Sequence, residues 1–166
     1  MPPPHPEHLF EQADALATRP CAGQTDLRRA ISAAYYGLFH FALTAAADMV
    51  VRADKRETSR YSLVYRSVDH SRPRTLGTQL SATKPGVPLV PSVGFGKIAD
   101  FARVAGNLYE LRNLADYDPA HDFTAEEAKL AISDARQAVK WFQESTYEQQ
   151  ETFLTLLLFK SRTRTS

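Results

Sequence analysis

The chain has 166 residues, 43% of them hydrophobic and 23% charged, with a formal net charge of +1. That is enough chain for one domain with its own core, and the composition excludes a disordered polymer. The balanced charge excludes a surface that is basic all over, and the single cysteine, Cys21, excludes an intrachain disulfide and argues against a thiolate metal centre.

The opening Met1-Pro2-Pro3-Pro4-His5-Pro6 predicts an extended lead-in and lacks a basic-then-apolar signal pattern. No apolar run is expected to span a bilayer. A cytoplasmic protein follows from these readings. A short helix is expected from about Glu7 to Ala17, with Leu9, Phe10, Ala13 and Leu16 on one side, ended by Pro20 and Gly23. A long helix then runs from Thr25 or Asp26, either of which can cap it, to about Ala53. Its Ile31, Ala34, Tyr35, Leu38, Ala42, Ala45 and Met49 recur at three- and four-residue steps, the period of a buried face. Phe39, Phe41 and Leu43 widen that face, which makes this helix central. Tyr36 and His40 sit one turn apart on its flank.

A third helix is expected from Ser59 to about His70, with Tyr61, Val64, Tyr65 and Val68 as its stripe, Arg66 and His70 on another side, and Pro73 closing the segment. From about Leu76 to Gly96, Pro85, Pro88 and Pro91 alternate with Gly86, Gly94 and Gly96. This predicts a long surface loop with at most a short helical turn near Leu76 to Leu80. An insertion, a lid and a partner-docking loop all fit it. The fourth helix spans Lys97 to Tyr117, with Ile98, Phe101, Ala105, Leu108, Leu111 and Ala115 as its core stripe. Pro119 forbids its continuation.

The fifth helix starts at Thr124, with Glu127 completing a capping box and Phe123 placed to pack on Ala128. Its apolar face is Ala128, Ala131, Ile132, Ala135, Ala138, Val139 and Phe142, and it is read as continuing through Trp141 toward Lys160. Phe153, Leu154, Leu156, Leu157, Leu158 and Phe159 need cover, from the body of the domain or from a second subunit. Strand alternation, repeats and sustained heptads are absent from the pattern. The expected fold is therefore all-α, an antiparallel bundle of four to five helices. Residues 1–24 form a lead-in and short helix, residues 25–160 the bundle with its loop near 76–96, and residues 161–166 a tail.

The end of the fourth helix carries a mixture that packing alone does not require. Arg112 and Asp116 are one turn apart and can pair, beside Asn113 and Tyr117. This is either a helix-terminal ion pair or a polar pocket whose guanidinium offers a planar fork to phosphate or carboxylate. Tyr36, His40, Arg66 and His70 lie on flanks that a bundle can bring to the same cleft. The histidines lack the paired spacing of a zinc helix, so neither metal nor cofactor is expected. The basic cluster Arg52, Lys55, Arg56 and Arg60, with Arg66, Arg72 and Arg74 beyond it, reads as a solvated surface or as a patch for an RNA backbone or acidic partner. Neither a phosphate-binding glycine loop nor a nucleophile elbow is present.

Leu27-Arg28-Arg29-Ala30-Ile31-Ser32-Ala33-Ala34-Tyr35-Tyr36-Gly37-Leu38-Phe39-His40 is followed by Tyr65-Arg66-Ser67-Val68-Asp69-His70. Leu111-Arg112-Asn113-Leu114-Ala115-Asp116-Tyr117-Asp118-Pro119 comes next, and then the helix from Glu127 to Ala138. In this order and spacing, over roughly Asp26 to Phe142, they resemble the HEPN superfamily (higher eukaryotes and prokaryotes nucleotide-binding domains). The third segment is similar to an R-x-x-A-D-Y signature of one branch. The resemblance implies a helical bundle that forms a homodimer, with polar residues facing a cleft at the interface. It also implies RNA or a nucleotide as ligand, and a bacterial toxin–antitoxin or defence setting with an antitoxin or nucleotidyltransferase as partner.

Many members of that superfamily are metal-independent RNases. Their arginine is followed, after four to six residues, by a histidine. Here those places after Arg112 hold Tyr117, Asp118 and Pro119, His121 lies beyond them, and Arg66 and His70 are separated by only three residues. The resemblance therefore implies a nucleotide- or RNA-interacting, or partner-binding, module. In it Arg112 holds the anion, Asp116 orients Arg112, Asn113 bonds the ligand or partner, and Tyr117 walls the site and is the side chain a partner enzyme would modify. Two alternatives stand beside it. One is an RNase with an unusual site, using Arg112 with His40, His70 or His121. The other is a dimerisation protein without a ligand.

Overall fold

The structure is a computed structural model that describes residues 4–160; Pro2, Pro3 and the tail read at 161–166 lie outside the described residues. All regular structure in it is helical: α1 (Pro6–Ala17), α2 (Gln24–Val51), one 3-10 turn (Ala53–Lys55), α3 (Ser59–Tyr65), α4 (Arg72–Leu80), α5 (Lys97–Tyr117), α6 (Ala125–Glu144) and α7 (Tyr147–Leu158). The all-α bundle is as expected, but it is cut into seven α-helices and not four or five.

α2 is the axis of the bundle and packs against α1, α3, α5, α6 and α7. Its Ala30, Ile31, Ala34, Tyr35, Leu38, Ala42 and Ala46 are all fully or almost fully buried. The alanines among them let neighbouring helices approach closely. At Gly37 the approach is closest, because an added Cβ would lie 2.4 Å from the Phe10 ring of α1. Phe10, Ala13 and Ala17 thereby join the main core with Phe101, Leu108, Ile132 and Phe142. By length and composition α2 could cross a membrane, contrary to the expectation that no segment could; 67% of its most apolar window is buried inside the fold.

The expected boundaries hold where a cap is written in the sequence. α5 spans Lys97–Tyr117 as expected, and α6 opens with the expected capping box. Thr124 Oγ1 accepts the Glu127 N–H at 3.1 Å, and the Glu127 carboxylate accepts the Thr124 N–H at 2.7 Å. α2 is a correction. Its cap is Gly23, and Asp26, now inside the first turn, accepts the Gly23 N–H at 3.4 Å and pairs with Arg19.

One expected helix is cut short and another is divided. The segment read as one helix from Ser59 to His70 stops at Tyr65, where Ser67 donates from both its backbone N–H and its hydroxyl to the Val64 carbonyl. Asp69 then accepts from the Ser71 N–H and hydroxyl, both at 2.8 Å. Pro73, read as a terminator, sits instead in the first turn of α4, where its missing donor has no helical partner to lose. The loop shortens to residues 81–96. It is fastened to α7 by Gln149, which donates to the Gly94 carbonyl at 2.8 Å, and by Glu148, which accepts twice from Ser92.

The division of the fifth expected helix falls after Glu144. Thr146 and Gln149 form another capping box and start α7 afresh. That break turns Phe153, Leu154, Leu156 and Leu157 into the core, so the body of the domain supplies their cover; Phe159 alone of the six is left 64% exposed.

Candidate functional site

One side of α2 carries Arg29, Ser32, Tyr36, His40 and Thr44 at three- and four-residue steps. The last turn of α5 lies across it. Ser32 donates to Asp116 Oδ1 at 2.6 Å. Arg112 Nη2 donates to the Tyr36 hydroxyl at 2.7 Å and Nη1 to Asn113 Oδ1 at 2.9 Å. Asp116 Oδ2 is 2.9 Å from Arg112 Nε, yet it lies off the line of the N–H. The buried Nε–H therefore has an ion-pair partner but no hydrogen-bond acceptor. The guanidinium sits within 5.4 to 5.7 Å of the ring centres of Tyr36, Tyr35 and Tyr117, and its side chain is 13% exposed. Burial works against its charge, but Tyr36, Asp116 and Tyr117 outweigh that and hold the pKa above its ordinary value.

Two residues of α2 set the end of α5 in place, and neither stands out in the sequence. Arg28 Nη1 donates to the carbonyls of Ala115 at 3.0 Å and Asp118 at 2.9 Å, and Nη2 donates to that of His121. The Ala115 carbonyl is one that a helix leaves unpaired at its end, and Asp118 and His121 belong to the turn that follows. Gln24 reads the backbone of Phe123 on both sides, accepting its N–H at 2.8 Å and donating to its carbonyl at 2.7 Å. The turn that follows Tyr117 is thus fixed by α2 itself.

The outcome is an open groove of about 770 Å³. Leu9, Gln12 and Leu16 of α1 form one wall, Arg29, Ser32, Tyr36 and His40 the floor, and Asp116 and Tyr117 the other wall. Arg112 lies behind Tyr36 and Tyr117 and does not line the groove. Two of its N–H donors go to Tyr36 and Asn113, and from behind the groove lining it orders the phenol wall. Arg29 is the exposed cation on the floor and makes no ion pair among the described residues. Sequence reasoning passed over it, although its place three residues before Ser32 and seven before Tyr36 puts it on the same helix face.

His40 and His70 both come to this region. His40 Nδ1 and the Tyr65 hydroxyl share a hydrogen bond at 2.5 Å, with the rings stacked 5.9 Å apart. His70 Nδ1 lies 3.2 Å from the Tyr35 hydroxyl, and its ring stacks on Phe39 at 4.3 Å. Burial, reinforced by His70, lowers the His40 pKa; burial and then Arg112 lower that of His70. Arg66 is not brought in: it is exposed at the end of α3, and among the described residues its side chain makes no hydrogen bond or ion pair. The His121 ring packs on Phe123 at 4.4 Å, away from the groove lining.

The basic cluster is largely neutralised. Arg52 and Lys55 pair with Asp54, Arg56 with Asp48, and Arg74 with Glu110, while Arg72 donates to the Leu156 carbonyl. A second groove of about 470 Å³ runs between α4 and α5 past Arg74, Thr78, Arg103 and Asn107. Its two arginines are held by Glu110 and Asp100. Comparison with protein-family models, with curated proteins and with solved structures gives no match.

Proposed function

We propose that this chain is a HEPN-like antiparallel bundle whose α2–α5 groove binds a phosphate-bearing ligand, RNA or a nucleotide. The observation that carries the reading is the groove floor. An exposed Arg29 shares the floor with Tyr36, which Arg112 holds in place, with Tyr117 on the wall and 73% exposed. Unstacked bases bind on aromatic faces, and phosphates bind guanidinium forks. The volume falls in the range of small-ligand sites. The module acts as a homodimer, with the open groove mouth and Tyr117 toward the second copy. Its setting is a bacterial toxin–antitoxin or defence system with an antitoxin or nucleotidyltransferase partner. The order of the resembling segments supports that setting.

Fluorescence anisotropy with a short labelled single-stranded RNA tests the binding. Wild type is expected to bind, and Arg29→Ala to weaken binding about tenfold, the worth of one charge-assisted contact. Binding that is indifferent to Arg29→Ala and Tyr117→Ala would remove the groove from the account.

A second reading, a metal-independent RNase, is favoured by one observation. His70, its pKa lowered by burial and then by Arg112, lies near a fixed guanidinium, with His40, also lowered, on the groove floor, and neutral imidazole near a cation is the set that phosphodiester cleavage uses. Incubation of RNA with wild type, His40→Ala and His70→Ala decides it: cleavage lost in either variant supports an enzyme, and intact RNA throughout leaves the binding module.

A further inference from the structure

Behind His40 lies a hydroxyl that the groove does not use. Thr44, one turn along α2, has its Oγ1 buried outside hydrogen-bond geometry, and α3 packs over that turn, with Tyr61 donating to the Thr44 carbonyl at 3.4 Å and stacked on Tyr65. Tyr65 in turn holds His40 Nδ1 at 2.5 Å. With Nδ1 taken, Nε2 is the ring nitrogen left for the groove that His40 lines. A hydroxyl donates one hydrogen and accepts through its lone pairs, so the phenol can face either neighbour as donor.

We propose that Thr44 and Tyr65 form a reversible hydrogen-bond relay behind His40, by which the groove histidine is stabilised in either charge state. In the neutral state Tyr65 donates to Nδ1 and the ring proton sits on Nε2, toward the groove. When His40 takes up a second proton from solvent, Nδ1–H must donate. The phenol oxygen then accepts from it, and the phenol hydrogen turns to Thr44 Oγ1, which gains a bond. The proton count closes: one proton enters at His40, and the other hydrogens stay on their own atoms and only change partner. Burial pushes the phenol up to about 12, so Tyr65 keeps its hydrogen through the whole change. Tyr65 and Thr44 are positioning residues, since neither lines the groove.

The groups around the ring set the direction of the response. Tyr36 lies on its own helix, Tyr65 on α3, His70 in the link before α4, and Arg112 and Asp116 on α5 beyond Tyr36. Burial and then His70 disfavour a cation here. An incoming phosphate supplies the opposite charge, so His40 gains its proton when the groove fills. That last consequence rests on the functional reading above, whereas the relay does not.

NMR of the ligand-free protein, following the His40 ring nitrogens against pH, tests the relay in wild type, Thr44→Val, Thr44→Ser and Tyr65→Phe. The neutral ring is expected as the Nε2–H tautomer. Thr44→Val removes the acceptor that supports the cation, so the His40 midpoint drops by about half to one pH unit, one neutral hydrogen bond's worth. Thr44→Ser restores it, and Tyr65→Phe weakens the tautomer preference. An unchanged midpoint in Thr44→Val, with the amide spectrum showing an intact fold, would overturn the relay. Titration of the wild type with inorganic phosphate, expected to raise the same midpoint, separates the two claims. If phosphate does not bind, the groove reading fails, and the Thr44→Val result still decides the relay.

Discussion

Arg112 and Arg29 divide the work that one arginine was expected to do. Arg112 is fixed by Tyr36, Asn113 and Asp116, and its removal leaves the Tyr36 phenol without its donor and Asp116 with Ser32 alone. Arg112→Ala is therefore expected to lower stability by about 2–3 kcal/mol, measured by urea unfolding. Arg29→Ala, on an exposed position without an ion pair, is expected to change stability by less than about 0.5 kcal/mol. The Arg112–Asp116 pairing was legible from its one-turn spacing. That the guanidinium would be spent internally was not, because Tyr36 comes from a helix 76 positions away in sequence.

The histidines give a pH signature at the same scale. Both have folded pKa values below the unfolded value of about 6.5. Above that pH they are neutral in either state and add no slope. As the pH falls through 6.5, the unfolded chain binds protons that the folded one resists, so stability declines on acidification. Urea midpoints at pH 7.5, 6.5 and 5.5 are expected to fall in that order, and His40→Gln to flatten the decline.

Among the elements, the helices with capping signals and long apolar periods were readable, and the breaks were not. α5 and the start of α6 follow from Pro119 and from the Thr124–Glu127 box. The stop after Tyr65 depends on Ser67 and Asp69 turning the backbone, and short polar residues do this as readily in a helix flank as in a turn. Pro73 was misplaced because proline is a breaker inside a helix but a good opener of one. The start of α7 was legible in principle, since Thr146 and Gln149 repeat the spacing seen at Thr124 and Glu127. The Arg28 clamp could not be read at all: a cation in the first turns of an apolar helix gives no sign of which carbonyls it will meet.

Two expectations belong to these elements. Arg28→Ala should loosen residues 118–121 and cost about 2–3 kcal/mol through its unpaired carbonyls, seen as faster amide exchange there than in α6. Gly37→Ala should force Phe10 from its notch and cost about 1–3 kcal/mol in thermal unfolding. Since α1 is one wall of the groove, Gly37→Ala is also expected to weaken ligand binding.

For the whole molecule, the near-neutral charge leaves the outer surface mostly self-paired. Glu7 and Asp14 hold Arg136, Glu144 holds Lys97, and Asp48 holds Arg56. Within that surface the α2–α5 groove combines an uncommitted cation with exposed aromatic faces, whereas the α4–α5 groove has its arginines already held by carboxylates. Ligand binding is therefore expected at the first and not the second. The most direct test is chemical-shift mapping of the protein with a short single-stranded RNA. The account predicts shifts clustered at Arg29, Ser32, Tyr36, His40 and Tyr117, and little change at Arg74, Thr78, Arg103 and Asn107. Shifts confined to the α4–α5 groove, or none at saturating RNA, would contradict it.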